Sequence, residues 1–257
     1  MTHTSWAVPP YNLVLEDDEV HIWRAQLDMP EEQTWALEQI LAIDEHARAT
    51  RFRFPKDRAH FIAARGILRT ILGRYLAQNP SLLQFRYNQY GKPFLYDATE
   101  DSTLSFNVTH SHSMALYAIT RKGREVGIDL EYIRPERADL AIAERFFSHY
   151  EVKTLRAIPA PQQALAFFHC WTRKEAYIKA RGLGLSLDLN LFDVSLTPGE
   201  PAEILNTREQ GQEMADWSLQ DLAPGPGYAA ALAIKGSPYR LVSWQWPDFQ
   251  VGSSIRL

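Results

Sequence analysis

Asp129 and Glu131 stand at i and i+2 in the run Val126-Gly127-Ile128-Asp129-Leu130-Glu131-Tyr132. The period of two in a strand puts both carboxylates on one face and turns Ile128 and Leu130 to the other. Two neighbouring carboxylates repel unless a cation stands between them. Hard oxygen ligands of this kind suit Mg²⁺ or Mn²⁺. Taken alone, the pair equally fits a solvated strand edge. Glu175 and Lys179 form a second constellation, at i and i+4, and so share one helix face. Such pairs are common on surfaces. Here Trp171, Ala176 and Ile178 imply a half-buried helix, where a charged pair needs a purpose. The third constellation is Phe106-Asn107-Val108-Thr109-His110-Ser111, read as a strand ending in a polar turn. Its hydroxyls, imidazole and N–H groups suit phosphate oxygens, although the same residue types are ordinary turn formers.

A block of positive charge lies upstream. Arg48, Arg51, Arg53, Lys56, Arg58, Arg65, Arg69 and Arg74 are opposed locally only by Asp57. The whole chain is nevertheless slightly acidic, with 27 basic and 31 acidic side chains and a net charge of −4. A local basic block in an acidic protein points to a phosphorylated or acidic partner rather than to a general nucleic-acid coat. A solvated helix face is the competing reading.

Several chemistries are excluded by spacing. The chain has no G-x-x-x-x-G-K-[ST], no G-x-G-x-x-G, no H-E-x-x-H and no G-x-S-x-G. Its one cysteine, Cys170, forms no internal disulfide or thiolate zinc cluster, and among Phe167, Phe168 and Trp171 it reads as a buried hydrophobe. His110 and His112 lack a third zinc ligand with matching spacing. With no apolar run of about 20 residues and an acidic, proline-containing start, a cytoplasmic protein without a membrane span is expected.

The elements that must position these groups follow from periodicity. Strands are expected at Val20–Leu27, Leu104–Val108, Met114–Thr120, Glu125–Tyr132, Trp217–Leu219, Tyr228–Ile234 and Tyr239–Trp246. Helical texture covers Pro30–Arg48, Lys56–Leu76, Leu140–Phe147 and Ala164–Lys179, and Tyr90-Gly91-Lys92-Pro93 is a turn. Strands interrupted by helices without strict alternation give an α+β class. A weak echo runs through the chain: Arg51-Phe52-Arg53-Phe54 precedes the first long helix and Arg145-Phe146-Phe147 lies upstream of the second.

Gly91-Lys92-Pro93, Phe106 to Ser111, Val126 to Glu131, Phe147-Ser148-x-x-Glu151 and Trp171-x-x-Lys174-Glu175-Ala176-x-x-Lys179 occur in this order. The ordered set resembles the 4'-phosphopantetheinyl transferases, in particular the larger pseudo-dimeric (Sfp-type) branch. The resemblance runs from about Arg48 to Asp188. It implies two similar lobes with pseudo-twofold symmetry, each a small, mostly antiparallel sheet packed with a long helix. Residues 1–123 would form the nucleotide side and 124–257 the metal side, with the active site in the cleft between. It implies a monomer that moves the phosphopantetheine arm of coenzyme A to a serine hydroxyl of an apo acyl or peptidyl carrier protein, releasing adenosine 3',5'-bisphosphate.

Under that resemblance, Asp129, Glu131 and Glu175 hold Mg²⁺ (or Mn²⁺), and Asp129 and Lys179 lie against the pyrophosphate. Glu175 takes the serine proton, directly or through a bound water, with Glu151 as the second candidate. Thr109 and His110 bind phosphate. Arg48 falls at the position that grips the 3'-phosphate, and Lys92 of the Gly91-Lys92-Pro93 turn faces the same nucleotide. Arg53 lies on the same wall, and Arg53 and Arg58 would also attract an acidic carrier.

Two rivals make different demands. A metal-dependent nuclease or phosphodiesterase of a common pattern needs Lys two residues after the second acid, where Glu131 is followed by Tyr132 and Ile133. A nucleic-acid binding module needs exposed stacking aromatics, whereas Phe52, Phe54 and Phe61 read by their spacing as core.

Overall fold

The structure is a computed structural model that describes residues 5–96, 104–209 and 214–247. Its first sheet contains β1 (Glu19–Gln26), β4 (Leu104–Ser111), β5 (Met114–Arg121) and β11 (Arg240–Gln245), in the order β11-β1-β5-β4. All neighbours are antiparallel except β1 and β11, which run parallel. Helix α3 (Pro55–Leu76) covers one face of this sheet. Around it lie α1 (Glu31–Glu38), α2 (Ile43–Ala49) and the hairpin of β2 (Phe85–Tyr87) and β3 (Pro93–Leu95). The second sheet contains β6 (Val126–Tyr132), β9 (Trp217–Leu222) and β10 (Tyr228–Lys235), in the order β6-β10-β9, and is covered by α6 (Ala160–Arg181). Helices α4 (Leu140–Phe146) and α5 (His149–Ala157) and the hairpin of β7 (Phe192–Val194) and β8 (Ile204–Thr207) complete that half.

The alternation along each strand explains the layering. On β5, Ala115, Tyr117 and Ile119 pack beneath α3, while Met114, Leu116 and Ala118 face the other way. There they meet Ile128 and Leu130 of β6 and Leu232 and Ile234 of β10. The inner faces of the two sheets therefore pack on each other, giving layers of helix, sheet, sheet and helix. Both faces of the central strands are apolar, which is why Met114–Thr120 reads as a continuous apolar run.

Three findings refine the sequence-based elements. The helical texture expected over Pro30–Arg48 is two short helices, and Glu45, in the first turn of α2, accepts the Ala42 N–H at 2.8 Å. Strand β4 continues through His110 and Ser111, which were expected in a turn, and only His112 and Ser113 separate it from β5. The final strand crosses the 123/124 boundary. Arg240–Gln245 pairs with Glu19–Arg24, so the end of the chain builds the first sheet rather than the second.

Strands β4 and β6 lie edge to edge in different sheets, and β4 side chains bridge the seam. Asn107 Oδ1 accepts the Ile128 N–H at 2.8 Å, and Ser111 Oγ accepts the Tyr132 N–H at 3.0 Å. Buried backbone donors need a partner, and here polar side chains supply it in place of a ladder. Gly127 lies directly beneath α6. A Cβ there would come within 2.1 Å of the Ala176 carbonyl oxygen and 2.2 Å of the Ala180 nitrogen, so only glycine lets the helix sit this close to β6.

Candidate active site

That close approach brings Glu175 and Lys179 of α6 to the carboxylates of β6. Lys179 Nζ donates to Asp129 Oδ1 at 2.5 Å and to Thr109 Oγ1 at 3.2 Å. Thr109 Oγ1 in turn donates to Asp129 Oδ1 at 3.2 Å, and Ser111 Oγ donates to Glu131 Oε2 at 2.8 Å. Asp129 is almost fully buried, yet its Oδ2 has no hydrogen-bond partner. An orphaned buried carboxylate oxygen is costly unless something satisfies it. Burial pushes the Asp129 carboxyl above its ordinary value, against the pull of Lys179. Burial also raises Glu131 and Glu175, and the charge of Asp129 adds to both shifts. The three acids repel each other, and Lys179 is their cationic neighbour.

One ammonium faces three carboxylates, and a divalent cation would offset the remaining negative charge. Three carboxylates, one with a free buried oxygen, match the donor chemistry of Mg²⁺. Among the described residues, no three acidic, histidine or cysteine side chains already stand gathered as a metal cage.

The candidate phosphate-binding groups Thr109 and His110 stand at the neighbouring end of β4. Removal from water lowers the His110 imidazole below its ordinary value, and the positive charges of Lys179, His60 and Arg48 lower it further. Arg48 is exposed, its guanidinium lies over the Phe61 ring at 5.3 Å, and among the described residues it has no carboxylate partner. Thr109 and Lys179 thus meet Asp129 directly, and His110 lies within the influence of the Lys179 and Arg48 charges.

Other expected site residues are placed elsewhere. Glu151 is fully buried, and its Oε1 meets Lys174 Nζ at 2.8 Å and accepts the Val194 N–H at 2.8 Å. Its Oε2 accepts the Ser148 N–H at 2.8 Å in a capping box that opens α5. Every acceptor is used inside the fold, so Glu151 has no means of reaching a substrate proton. Lys92 does not turn its ammonium to a nucleotide. It donates to the Val126 carbonyl at 3.1 Å and the Ala180 carbonyl at 3.0 Å, tying the hairpin turn to both β6 and α6. Burial lowers its pKa to about 8. Gly91 holds a φ of 86° in that turn, which precedes Pro93 at the start of β3.

The basic block is largely committed to the fold. Arg65 and Arg69 both pair with buried Glu45, Arg58 with Glu38, and Lys56 with Asp28. Arg74 donates to the Pro10 carbonyl at 2.6 Å. Among the described residues, Arg48, Arg51 and Arg53 remain without a carboxylate partner, and Arg53 lies over Phe54 at 5.5 Å. Phe52 and Phe54 are exposed rather than core, while Phe61 packs against the cluster under α3.

Spacing missed Asn88, and it gave no role to Asn107 and Lys174, which stand inside the ordered motifs. Asn88 Oδ1 accepts the N–H groups of Tyr90 and Lys92, both at 2.9 Å, and its Nδ2 donates to the Gly182 carbonyl at 2.7 Å. An Asn two residues before a Tyr-Gly turn is the one local signal available for it. Lys174 donates to the Leu189 carbonyl at 2.7 Å and the Phe192 carbonyl at 2.5 Å, a long-range role with no local signature.

Residues 125–233 match the family model described as the 4'-phosphopantetheinyl transferase superfamily, and residues 27–121 match that of the 4'-phosphopantetheinyl transferase N-terminal region. The chain is 43% identical over 246 residues to 4'-phosphopantetheinyl transferase HetI of Nostoc sp., covering 96% of this chain and 100% of that protein. It is 35% identical to 4'-phosphopantetheinyl transferase psf-1 of Bacillus pumilus, over 77% of this chain and 81% of the relative. With 4'-phosphopantetheinyl transferase Sfp of Bacillus subtilis it shares 30% identity, over 68% of this chain and 76% of the relative. A match to HetI along nearly the whole chain, with family models on both halves, makes this protein an enzyme of the 4'-phosphopantetheinyl transferase superfamily.

Proposed function

We propose that the cleft between β4, β6 and α6 transfers the 4'-phosphopantetheine arm of coenzyme A to a serine hydroxyl of an apo acyl or peptidyl carrier protein. The single observation that carries this reading is the orphaned Asp129 Oδ2 among three carboxylates, beside the Lys179 ammonium, with the His110 imidazole and the Arg48 guanidinium at the end of β4. Such a site suits a pyrophosphate and its cation better than a neutral substrate. Asp129, Glu131 and Glu175 would hold Mg²⁺. When bound, Mg²⁺ offsets charge on the pyrophosphate as it builds during transfer. Lys179 holds pyrophosphate oxygens through its remaining donors. Thr109 and His110 bind phosphate from the end of β4, and Arg48 grips the 3'-phosphate.

Glu175 accepts the proton of the serine hydroxyl as that oxygen attacks the β-phosphorus. Its burial among acids favours proton uptake. The bond from the β-phosphorus to the bridging oxygen breaks, and adenosine 3',5'-bisphosphate leaves. We also read the halves as two pseudo-twofold-related lobes within a monomer. In support, α3 and α6 are each 22 residues long, each has proline in its first turn, and each closes on a left-handed residue. On this reading the lobes divide near residue 123, with strand β11 returning to the first sheet. The test is incubation with coenzyme A, Mg²⁺ and a panel of apo carriers, followed by intact mass. A gain of one phosphopantetheine on a carrier supports the reading. Magnesium-dependent cleavage of DNA or RNA with no carrier loading contradicts it.

A further inference from the structure

The register of the first sheet aligns His110 of β4 with Ala115 of β5 and Ala25 of β1. Ala25 and Ala115 point to the α3 side, so this row leaves room beside the His110 imidazole. The position of α3 over the sheet is fixed by Tyr117, whose hydroxyl donates to the Ala64 carbonyl at 3.0 Å. Four residues back along the helix is about 6 Å, and two residues back along β5 is about 7 Å. Tyr75, further along α3, meets His21 and Trp23 toward the other end of the sheet, which sets the direction. His60 therefore lies over the row that holds Ala115 and His110. At the same end, just beyond β1, Asp28 Oδ1 meets His60 Nε2 at 2.7 Å and also Lys56 Nζ at 3.2 Å. The other ring nitrogen of His60 has no hydrogen-bond partner among the described residues.

We infer that His60, held by Asp28, is a further binding residue for the 3'-phosphate of the nucleotide, beside Arg48 and His110. A carboxylate on Nε2 fixes the ring orientation, which leaves Nδ1 to share a proton with a phosphate monoester. The lowered proton affinity of His110 agrees, because the charge of His60 is among its causes. A dianion seated among Arg48, His60 and His110 would relieve that mutual repulsion. The inference rests on the proposed coenzyme A site and adds a specificity-determining residue to it.

The test measures steady-state KM and kcat for coenzyme A and for 3'-dephospho-coenzyme A in wild type, His60→Ala and Asp28→Asn. Asp28 is an exposed carboxylate, so its variant is expected to fold even if the His60 variant does not. In wild type the KM for coenzyme A is expected to lie well below that for the dephosphorylated analogue. His60→Ala should raise the coenzyme A KM roughly tenfold, the scale of one charge-assisted hydrogen bond, with a smaller effect on kcat. The discrimination ratio then shrinks, and Asp28→Asn shrinks it by a smaller factor. Equal changes for both substrates would show a merely structural role and overturn the inference. A wild-type enzyme that loads carriers but treats both substrates alike overturns it too, whereas one that consumes neither sinks the underlying coenzyme A reading.

Discussion

Asp129, Glu131 and Glu175 form a group in which each charge makes the others harder to keep. Burial raises all three above ordinary carboxyl values, and the charge of Asp129 adds to the shifts of Glu131 and Glu175, with Lys179 as the counterweight. Removing one charge relieves the apo protein and weakens the cation site. Glu175→Gln should therefore melt at or above the wild-type temperature without metal, yet gain much less than wild type from Mg²⁺. Thermal melts with and without MgCl2 check this; an equal Mg²⁺ gain in both proteins would contradict it. The carboxylate pair on β6 was legible in the sequence because a strand has a strict period of two. The fate of Glu151 was harder to see. Ser148-x-x-Glu151 is a capping-box spacing, but the Lys174 that completes its burial comes from another helix.

At the scale of the element, α6 places two of the four central side chains, and Gly127 sets how near it comes. Gly127→Ala would drive a Cβ into the Ala176 and Ala180 backbone, where no flexible side-chain end can give way. The expected cost is about 3 kcal/mol, the upper part of the overpacking range, with turnover falling as α6 lifts from β6. Urea unfolding and turnover measured on the same preparation check both effects, and near-wild-type values in both would contradict the packing argument. Long elements were legible because their apolar periodicity is strong. Helix α6 begins at Ala160 rather than Ala164 because its first turn, Ala-Pro-Gln-Gln, carries no apolar repeat. The strand character of His110 and Ser111 was hidden for a different reason. These polar residues lie at a seam, where Asn107, Thr109 and Ser111 bond to β6.

Across the whole molecule, Lys92 ties the β2–β3 hairpin of the first half to β6 and α6 of the second. Its folded pKa of about 8 lies below the ordinary 10.5. Between those values the unfolded chain binds the extra proton, so stability rises with pH across that window. Wild type should gain stability relative to Lys92→Met as pH increases from about 8 to 10.5, read as the difference between their urea midpoints. A constant difference would refute the lowered pKa. Such a contact is illegible in sequence, since its partners are backbone carbonyls 34 and 88 residues away. The return of β11 to β1 is equally remote, because a strand pattern does not name its neighbour. The central claim is that the Asp129, Glu131 and Glu175 cleft loads carriers with phosphopantetheine. Intact mass of apo carriers after incubation with coenzyme A and Mg²⁺ tests it most directly. The account predicts one phosphopantetheine per carrier with wild type, none with Glu175→Gln, and retained loading by whatever Glu151→Gln protein folds. Loading by Glu175→Gln at the wild-type rate, or no loading of any carrier by wild type, would contradict it.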